Sequence, residues 1–251
     1  MGAICGRHFG WNVVRGPTGI DSPPGHPEIL RLVAPNPGPM TLEGTNTYVV
    51  GEDPAFVIDP GPADERHLAA VRAAAEERGG LAGVLLTHSH GDHADGAALL
   101  DAAVVQGPFE AIPTPGHAAD HVCFVADRVC FTGDLILGEG SSIVPPGGGS
   151  LVAYLDSLRR IRGLDLELIC PGHGPYVTDP RAKVEEYLAH RLEREQRLLA
   201  ALEGGERSRA GLLDLVWDDV PGPMRPMAAM AMGAHLEKLE DEGRLPGDLR
   251  D

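Results

Sequence analysis

The stretch "LLTHSHGDHADG", residues 85–96, contains three histidines and two aspartates within eight positions. Its first two residues are the end of the apolar run "LAGVLL". That run predicts a buried strand, and side chains of an extended strand alternate in direction with period two. His88 and His90 would then point the same way and grip one ion. Asp92 and His93 lie beyond a glycine turn and would approach from another side. Four ligand-type residues in six positions at a strand end predict a metal site rather than a polar surface loop.

Three later apolar runs each end in another ligand-type residue. His117 lies in "PTPGHAADH", Asp134 in "FTGDLILGEG" and His173 in "ICPGHGP". Together with the first four they make seven candidate ligands, more than one tetrahedral ion uses. Seven ligands suit two ions about 3.5–4 Å apart that share one carboxylate.

The order of predicted strands and helices indicates an α/β fold. Strand-rich and helical segments alternate twice along the chain, which favours two sheets with helices outside them, an αβ/βα layering. From Asp179 onward the pattern changes to a long helix followed by helix, turn and helix. We therefore expect a metal-binding catalytic domain over residues 1–178 and a helical domain over residues 179–251.

Composition restricts the binding partners and the cellular location that we expect. The net charge of −16 over 251 residues disfavours nonspecific binding to phosphate backbones or to anionic membranes. No apolar run is long enough for a transmembrane helix, and "MGAICGRHFGWNVVRG" lacks the apolar core of a secretory signal, so we expect a cytoplasmic protein. The four cysteines have no C-x-x-C spacing. A hairpin over "HVCFVADRVCF" would let Cys123 face Cys130, and we expect buried free thiols there rather than a disulfide.

The ordered motifs "THSHGDH", "PGH", "TGD" and "PGHG" resemble the metallo-β-lactamase superfamily over roughly residues 42–175. The resemblance implies a four-layer αβ/βα sandwich and a role for each ligand. His88, His90 and His117 would hold the first metal, Asp92, His93 and His173 the second, and Asp134 would bridge them. Asp59, in "FVIDPG", matches an aspartate that orients a ligand histidine; the alternative is a turn residue at a strand end.

The resemblance also implies a mechanism. Two divalent ions, most simply Zn²⁺, would lower the pKa of a bridging water and give a hydroxide that attacks a carbonyl or a phosphorus. Iron or manganese is an alternative, because histidine and aspartate accept several metals. Asp92 would be the catalytic residue that orients the water or relays its proton.

Several features choose among branches of this superfamily. A bridging Asp134 and the missing signal argue against the secreted β-lactamases, and only 38 residues separate Asp134 from His173, too few for an inserted domain. Glyoxalase II shares all seven ligands, but its basic glutathione-holding residues have no match. "PNPGPMTLEGTNTYVVG", "HRLEREQRLL" and "AHLEKLEDEGRL" resemble the branch named β-lactamase-like protein 2. That resemblance implies a helical, winged-helix-like tail.

That branch includes hydrolases of thioesters on acyl carriers and a single-strand endoribonuclease. We therefore expect a metallo-hydrolase acting on an ester or thioester, of a small molecule or an acyl carrier. The alternatives are a metal-dependent endoribonuclease on RNA and a non-catalytic module that binds nucleic acid through its tail. The acidic tail argues against DNA and favours packing as a groove wall or a homodimer contact. Asn46, Ser141 and Ser142 are candidate substrate contacts, and the methionines of "PMAAMAMGAHL" predict core filling before an acyl-binding surface.

Overall fold

The computed structural model describes residues 20–250, which form two sheets flanked by helices. The strands are β1 (Ile20–Asp21), β2 (Ile29–Val33), β3 (Asn46–Val50), β4 (Ala55–Ile58), β5 (Leu81–Leu85), β6 (Glu110–Pro113), β7 (Val122–Ala126), β8 (Val129–Gly133) and β9 (Leu168–Pro171). The helices are α1 (Glu65–Glu76), α2 (Gly91–Ala94), α3 (Leu151–Arg162), α4 (Pro180–Glu203), α5 (Arg209–Val216) and α6 (Arg225–Asp241). Short 3₁₀ turns span Asp95–Leu99 and Gly222–Met224.

Each sheet is mixed. The first has the order β1-β2-β3-β4-β5 and the second β6-β7-β8-β9. In both, the last pair is parallel (β4 with β5, and β8 with β9), while the other pairs are antiparallel. A parallel pair brings the carboxyl ends of its strands to one edge, and the loops after β4, β5, β8 and β9 all leave from such ends.

Three apolar layers hold the sheets and helices together. In β3, Tyr48 faces the core between the sheets while Val49 faces the core under α1, as the two-residue period of a strand requires. The inter-sheet core also contains Phe131, and the outer core of the second sheet is built from Tyr154 of α3 and Tyr187 of α4. The layers therefore run helix, sheet, sheet, helix, which confirms the predicted αβ/βα fold.

Side-chain caps define where the long helices begin. The carboxylate of Asp64 accepts from the N–H of His67 at the start of α1. The hydroxyl of Ser150 accepts from the N–H of Ala153 at the start of α3. Asp179 caps α4, with Pro180 in the first turn. Each such cap stabilises a helix by about 1 kcal/mol. Asp179 is the residue at which we expect the second domain to begin, and that boundary stays a prediction.

The helices α4, α5 and α6 share a core of their own, in which Leu198, Leu212, Trp217, Met232 and Leu236 are buried. Met232 thus fills a core, as expected for that methionine. Among described residues from 204 to 250 the chain forms α5, α6 and one isolated bridge between Ser208 and Arg250, without a two-stranded wing. The tail is helical as predicted, and its winged-helix character is not confirmed.

In the hairpin of β7 and β8, Cys123 and Cys130 do not face each other directly, which differs from the expected geometry. Its register pairs Cys130 with Val125, so Cys123 is offset from Cys130 rather than opposite it. Cys123 and Cys130 are buried free thiols, as expected, and Cys170 is a third. Cys5 and the N-terminal segment "MGAICGRHFGWNVVRG" lie outside the described residues. Within residues 20–250, no helix has the length and apolar content needed to cross a membrane.

Candidate metal centre

The candidate metal centre lies at the carboxyl ends of β4 and β5, which are parallel neighbours in the first sheet. Asp59 follows β4 and is 2% exposed. Its carboxylate accepts from the Thr87 N–H at 2.7 Å and from the Thr87 hydroxyl at 2.6 Å, and it lies 2.9 Å from Nδ1 of His93. Asp59 has a positive φ of 49°, a conformation that aspartate tolerates better than most residues. Asp59 therefore connects the end of β5 to a histidine of the motif, the contact that the resemblance implies.

The seven sequence-predicted ligands come together in three overlapping sets. Within each set the ligand atoms lie within 4.8 Å of one another. The sets are His88, His90 and His117; His88, His93 and Asp134; and Asp92, His93 and His173. The structure thus brings every predicted ligand to one place.

Asp134 lies between the two outer sets. Its Oδ1 is 3.3 Å from Nε2 of His93 and 3.3 Å from Nε2 of His173, and its Oδ2 is 3.5 Å from Nε2 of His117. On one side, Nδ1 of His90 is 3.0 Å from the Nε2 atoms of both His88 and His117. Asp134 is thus close to histidines of both outer sets.

Two glycines let the strand ends of the second sheet approach this closely. A Cβ on Gly172 would lie 2.7 Å from both Asp134 Oδ1 and His93 Cε1. A Cβ on Gly133, whose φ is 44°, would lie 2.4 Å from Oγ1 of Thr87. Because β8 and β9 are parallel neighbours, Asp134 and His173 follow them at the same edge, and only glycine leaves room for the side chains there.

Contacts around the centre fix which ring nitrogens face it. Nδ1 of His117 is 2.6 Å from the Ile143 carbonyl oxygen, and Nδ1 of His173 is 3.2 Å from that of Gly44. Nδ1 of His88 is 3.0 Å from Oγ1 of Thr87, whose own hydrogen goes to Asp59. Each Nδ1–H therefore has an acceptor, and the Nε2 atoms are directed into the cluster.

The two ends of the cluster differ in protonation. Burial, reinforced by His93, lowers the pKa of His88 to about 2, and burial also lowers the pKa of His117. Burial opposes the charge on His93 and His173 too, but the carboxylates around them outweigh it: the pKa of His93 is raised well above its usual value and that of His173 to about 9. At neutral pH, His88 and His117 are neutral, whereas His93 and His173 carry protons that a cation would have to displace.

The carboxylates stay ionised. Burial would raise the pKa of Asp134, but the charge of His93 and the contact with His173 hold it well below its usual value. The same balance of burial against His173 lowers the pKa of Asp92. Oδ1 of Asp134 is buried and has no hydrogen bond of acceptable geometry among the described residues, although two imidazoles lie 3.3 Å away. Imidazole nitrogens and an orphaned carboxylate oxygen converging in this way fit divalent cations.

One histidine near the cluster was not predicted from the sequence. His121 is buried, its ring centroid lies 5.1 Å from that of His88, and its Nδ1 contacts the Thr114 hydroxyl at 2.9 Å. Burial, with the nearby imidazole of His117, lowers its pKa to about 3, so it is neutral at pH 7. Its place in "PGHAADH", four residues after His117, was the only sequence signal. It belongs to none of the three ligand sets.

The three candidate substrate contacts have different positions. Asn46 is buried, and its amide donates to the carbonyls of Pro171 and Gly174, so it supports the turn that carries His173. Ser142 donates to the carbonyl of Asp134 at 2.5 Å. Ser141 and Ser142 line a cavity beside the cluster, and Asn46 is not among its lining residues. A substrate role for each of the three stays a prediction.

That cavity has a volume of about 280 Å³ and separates the cluster from the C-terminal helices. His117 and Asp134 of the cluster are among the residues that line it. Its other walls are largely apolar and include Met40, Leu42, Leu137, Trp217, Val220, Met224, Met227, Ala228 and Ala231. Met227 of "PMAAMAMGAHL", and Met224 just before that stretch, thus line a cavity instead of filling a core. The tail forms a wall of this cavity, one of the two positions expected for it.

Comparison with known proteins gives this arrangement a family. The sequence profile of the Metallo-beta-lactamase superfamily matches residues 40–105 and 99–173, which hold all seven ligands. The chain belongs to the metallo-β-lactamase superfamily. That membership makes it an enzyme of the metallo-hydrolase class.

Relatives within the metallo-β-lactamase superfamily extend the match over most of the chain. The Beta-lactamase-like protein 2 homolog of Drosophila melanogaster is 30% identical, over 86% of this chain and 89% of that protein. The Atrochrysone carboxyl ACP thioesterase of Aspergillus chevalieri is 35% identical, over 74% of this chain and 69% of that protein. A Beta-lactamase domain protein from Burkholderia ambifaria shares the fold at 17% identity, with a TM-score of 0.75 over 92% of this chain and 91% of that chain.

Proposed function

We propose that this protein is a dinuclear metal-dependent hydrolase of esters or thioesters, acting on a small molecule or on an acyl group held by a carrier. The observation that carries the proposal is the position of Asp134. Its carboxylate lies between two sets of ligand atoms, and Asp134 is also one of the residues that line a largely apolar cavity. A hydrolase of this kind needs the metal ligands and an acyl-sized cavity to adjoin each other, and here the same side chain belongs to both.

The proposed ligand sets follow the geometry. His88, His90 and His117 would hold one ion, Asp92, His93 and His173 the other, and Asp134 would bridge them. Two bound divalent ions would supply a water activated at neutral pH and Lewis acidity toward a carbonyl oxygen. Zinc is the proposed metal because imidazole and carboxylate donors suit it, and iron or manganese would use the same donors.

Asp92 is the proposed catalytic residue besides its place in the second set. Its side chain is 32% exposed, more than that of Asp134 at 13%, and it lies 3.4 Å from Nε2 of His173. The contact with His173 helps keep it ionised, so it is an acceptor at neutral pH. We propose that it orients the attacking water and passes the proton to solvent.

The cavity indicates the substrate class. Its apolar walls suit an acyl chain whose carbonyl would lie beside His117 and Asp134 of the same lining. A relative named as a thioesterase of an ACP-bound substrate, at 35% identity, supports a thioester. Ser141 and Ser142 belong to the same lining and are proposed to contact the substrate.

The other hypotheses from the sequence keep their status as predictions. A largely apolar cavity is not suited to the extended phosphate backbone of a single-stranded RNA, which a basic groove would follow. Chelator-sensitive cleavage of single-stranded RNA would be the direct evidence for the endoribonuclease. The homodimer and the cytoplasmic location also stay predictions.

Metal analysis and a panel of acyl N-acetylcysteamine thioesters test the proposal together. We expect about two divalent ions per chain and thiol release that a chelator abolishes. Asp134→Asn is expected to lose a metal and the activity. Asp95→Asn is the matched control, since Asp95 is an exposed aspartate of the same stretch and belongs to none of the ligand sets. Two bound metals without hydrolysis of any thioester in the panel would contradict the proposal.

A further inference from the structure

Helix α4 places a buried cation in the wall of the cavity. Arg191 is 3% exposed, and it lines the cavity together with His190 and Arg194 of the same helix. These residues belong to the "HRLEREQRLL" segment, one of the stretches that resemble the β-lactamase-like protein 2 branch. The structure places these basic groups in the lining of the same cavity as His117 and Asp134.

Arg191 and Arg194 differ in how their charges are balanced. Arg194 forms a two-point ion pair with Asp219, with distances of 2.8 and 2.7 Å. Arg191, one helical turn earlier, donates from Nη2 to the Ser141 hydroxyl at 3.0 Å and to the carbonyl of Ser142. Its guanidinium also lies over the ring of Tyr154, 5.3 Å from the centroid. It makes no ion pair with any carboxylate of residues 20–250, and its buried Nε–H has no acceptor there.

A buried arginine without a paired carboxylate is unusual in so acidic a chain. The sequence has 37 Asp and Glu against 21 Lys and Arg, yet none of the described carboxylates pairs with this guanidinium. A buried charge is unfavourable unless it is paired, because burial removes its hydration. Asp134 is in the same cavity lining, but its carboxylate faces His93, His173 and His117. The position beside Arg191 thus lacks an anion.

A second buried group reports the same positive environment. His235 of α6 is 1% exposed, and neither of its ring nitrogens has a partner among the described residues. Burial first, and then the charges of Arg191 and Lys238, lower its pKa to about 3. This histidine therefore stays neutral beside Arg191 and Lys238.

We propose that the missing anion belongs to the substrate: the acyl group carries a remote carboxylate that Arg191 binds in the cavity. This inference rests on the proposed function and names its substrate class, the half-thioesters of dicarboxylic acids. The guanidinium provides charge-assisted donors. Ser141, whose oxygen accepts from Arg191, keeps its own hydrogen to donate to the same carboxylate. The carboxylate would thereby orient the chain so that its thioester end lies at the metal ligands.

Matched pairs of probes test the inference. Succinyl, glutaryl, adipoyl and suberoyl thioesters of N-acetylcysteamine would each be compared with the primary amide of the same length, which removes the charge and keeps the shape. We expect kcat/KM for the carboxylate to exceed that for the amide by about tenfold or more at the best length, the usual effect of a hydrogen bond to a charged group. Equal rates for both members of every pair would overturn the inference.

Variants separate substrate binding from support of the loop that holds Ser141 and Ser142. Arg191→Met is expected to reduce the carboxylate-to-amide ratio toward one, and Arg191→Lys to retain part of it. A loss of rate that is equal for carboxylate and amide would assign Arg191 a purely structural role. Arg197→Met is the control, because Arg197 lies on the same helix, pairs with Asp218 and does not line the cavity. It should keep the ratio of the wild type.

A binding measurement keeps the inference testable if no probe is hydrolysed. Non-hydrolysable thioether analogues of the adipoyl pair can be titrated while following the fluorescence of Trp217, which lines the cavity, in a Trp11→Phe background. Tighter binding of the carboxylate analogue that Arg191→Met abolishes would support the inference independently of turnover. Equal binding of both analogues would overturn it, whereas hydrolysis that fails for every probe counts against the proposed function.

Discussion

Oδ2 of Asp59 lies 2.9 Å from Nδ1 of His93, and the same carboxylate accepts two hydrogen bonds from Thr87. This contact connects the end of β4 to a ligand on α2 and turns Nε2 of His93 toward Asp134. A residue that binds no ion in our proposal thus sets the orientation of one that does.

Asp59→Asn is expected to weaken metal binding at the set of Asp92, His93 and His173 by about 10- to 100-fold. An amide can keep the bond from the Thr87 N–H, but it offers His93 an N–H₂ in place of an oxygen. Competition with a chelator measures the effect. Asp127→Asn is the matched control, since Asp127 is exposed and also has a positive φ, of 51°. Unchanged affinity in Asp59→Asn would contradict the orienting role.

Metal-free protein is expected to lose stability as pH rises from about 6.5 to about 9. The pKa of His173 is raised to about 9, so its charge stabilises the folded state fully below the unfolded pKa, about 6.5. That contribution is lost as the pH passes through the folded value. Thermal unfolding of chelator-treated protein across this range measures the slope, and His173→Gln should make it shallower.

Metal affinity should have the opposite pH dependence. Binding at His93 and His173 displaces their protons, so affinity increases up to about pH 9 and protons are released. Calorimetric titration of zinc in two buffers of different ionisation enthalpy counts those protons. A proton count of zero at pH 7 would contradict the assignment of charged histidines.

Gly172→Ala is expected to damage both stability and metal content. The new Cβ would lie 2.7 Å from Asp134 Oδ1 and from His93 Cε1, so ligands of the centre must move. Overpacking of this kind destabilises by about 1–3 kcal/mol. Urea unfolding and metal analysis measure the two effects. Gly247→Ala, where a Cβ meets nothing within 4 Å, should change neither.

Met227→Ser is expected to raise KM for long acyl probes more than for acetyl probes. Met227 lines the cavity, and each buried CH₂ contributes about 0.8 kcal/mol. Kinetics over a series from acetyl to octanoyl thioesters measures the dependence on chain length. Met230→Ser is the control, since Met230 lines a separate surface depression with Pro146 and Leu245. An equal effect on acetyl and octanoyl probes would show that this wall does not contact the acyl chain.

The methionines show where sequence patterns stop being informative. Met227, Met230 and Met232 are close in sequence on one helix, yet they line the cavity, line another depression and fill a core. Successive helical positions point in different directions, and what each meets depends on which helix packs there. The predicted core filling was correct for Met232 alone among these three.

The sequence by itself determined the ligand types, their spacing and the alternation of strands and helices, because these depend on local periodicity and on residue chemistry. It therefore predicted all seven residues that converge at the centre, and the αβ/βα layers that bring them there. Only the tertiary structure decided which of two neighbouring arginines has a counter-ion. Arg194 forms an ion pair with Asp219, 25 positions further along the chain, and Arg191 lines the cavity. That difference arises from the packing of α4 against the segments that follow it, which no local pattern encodes.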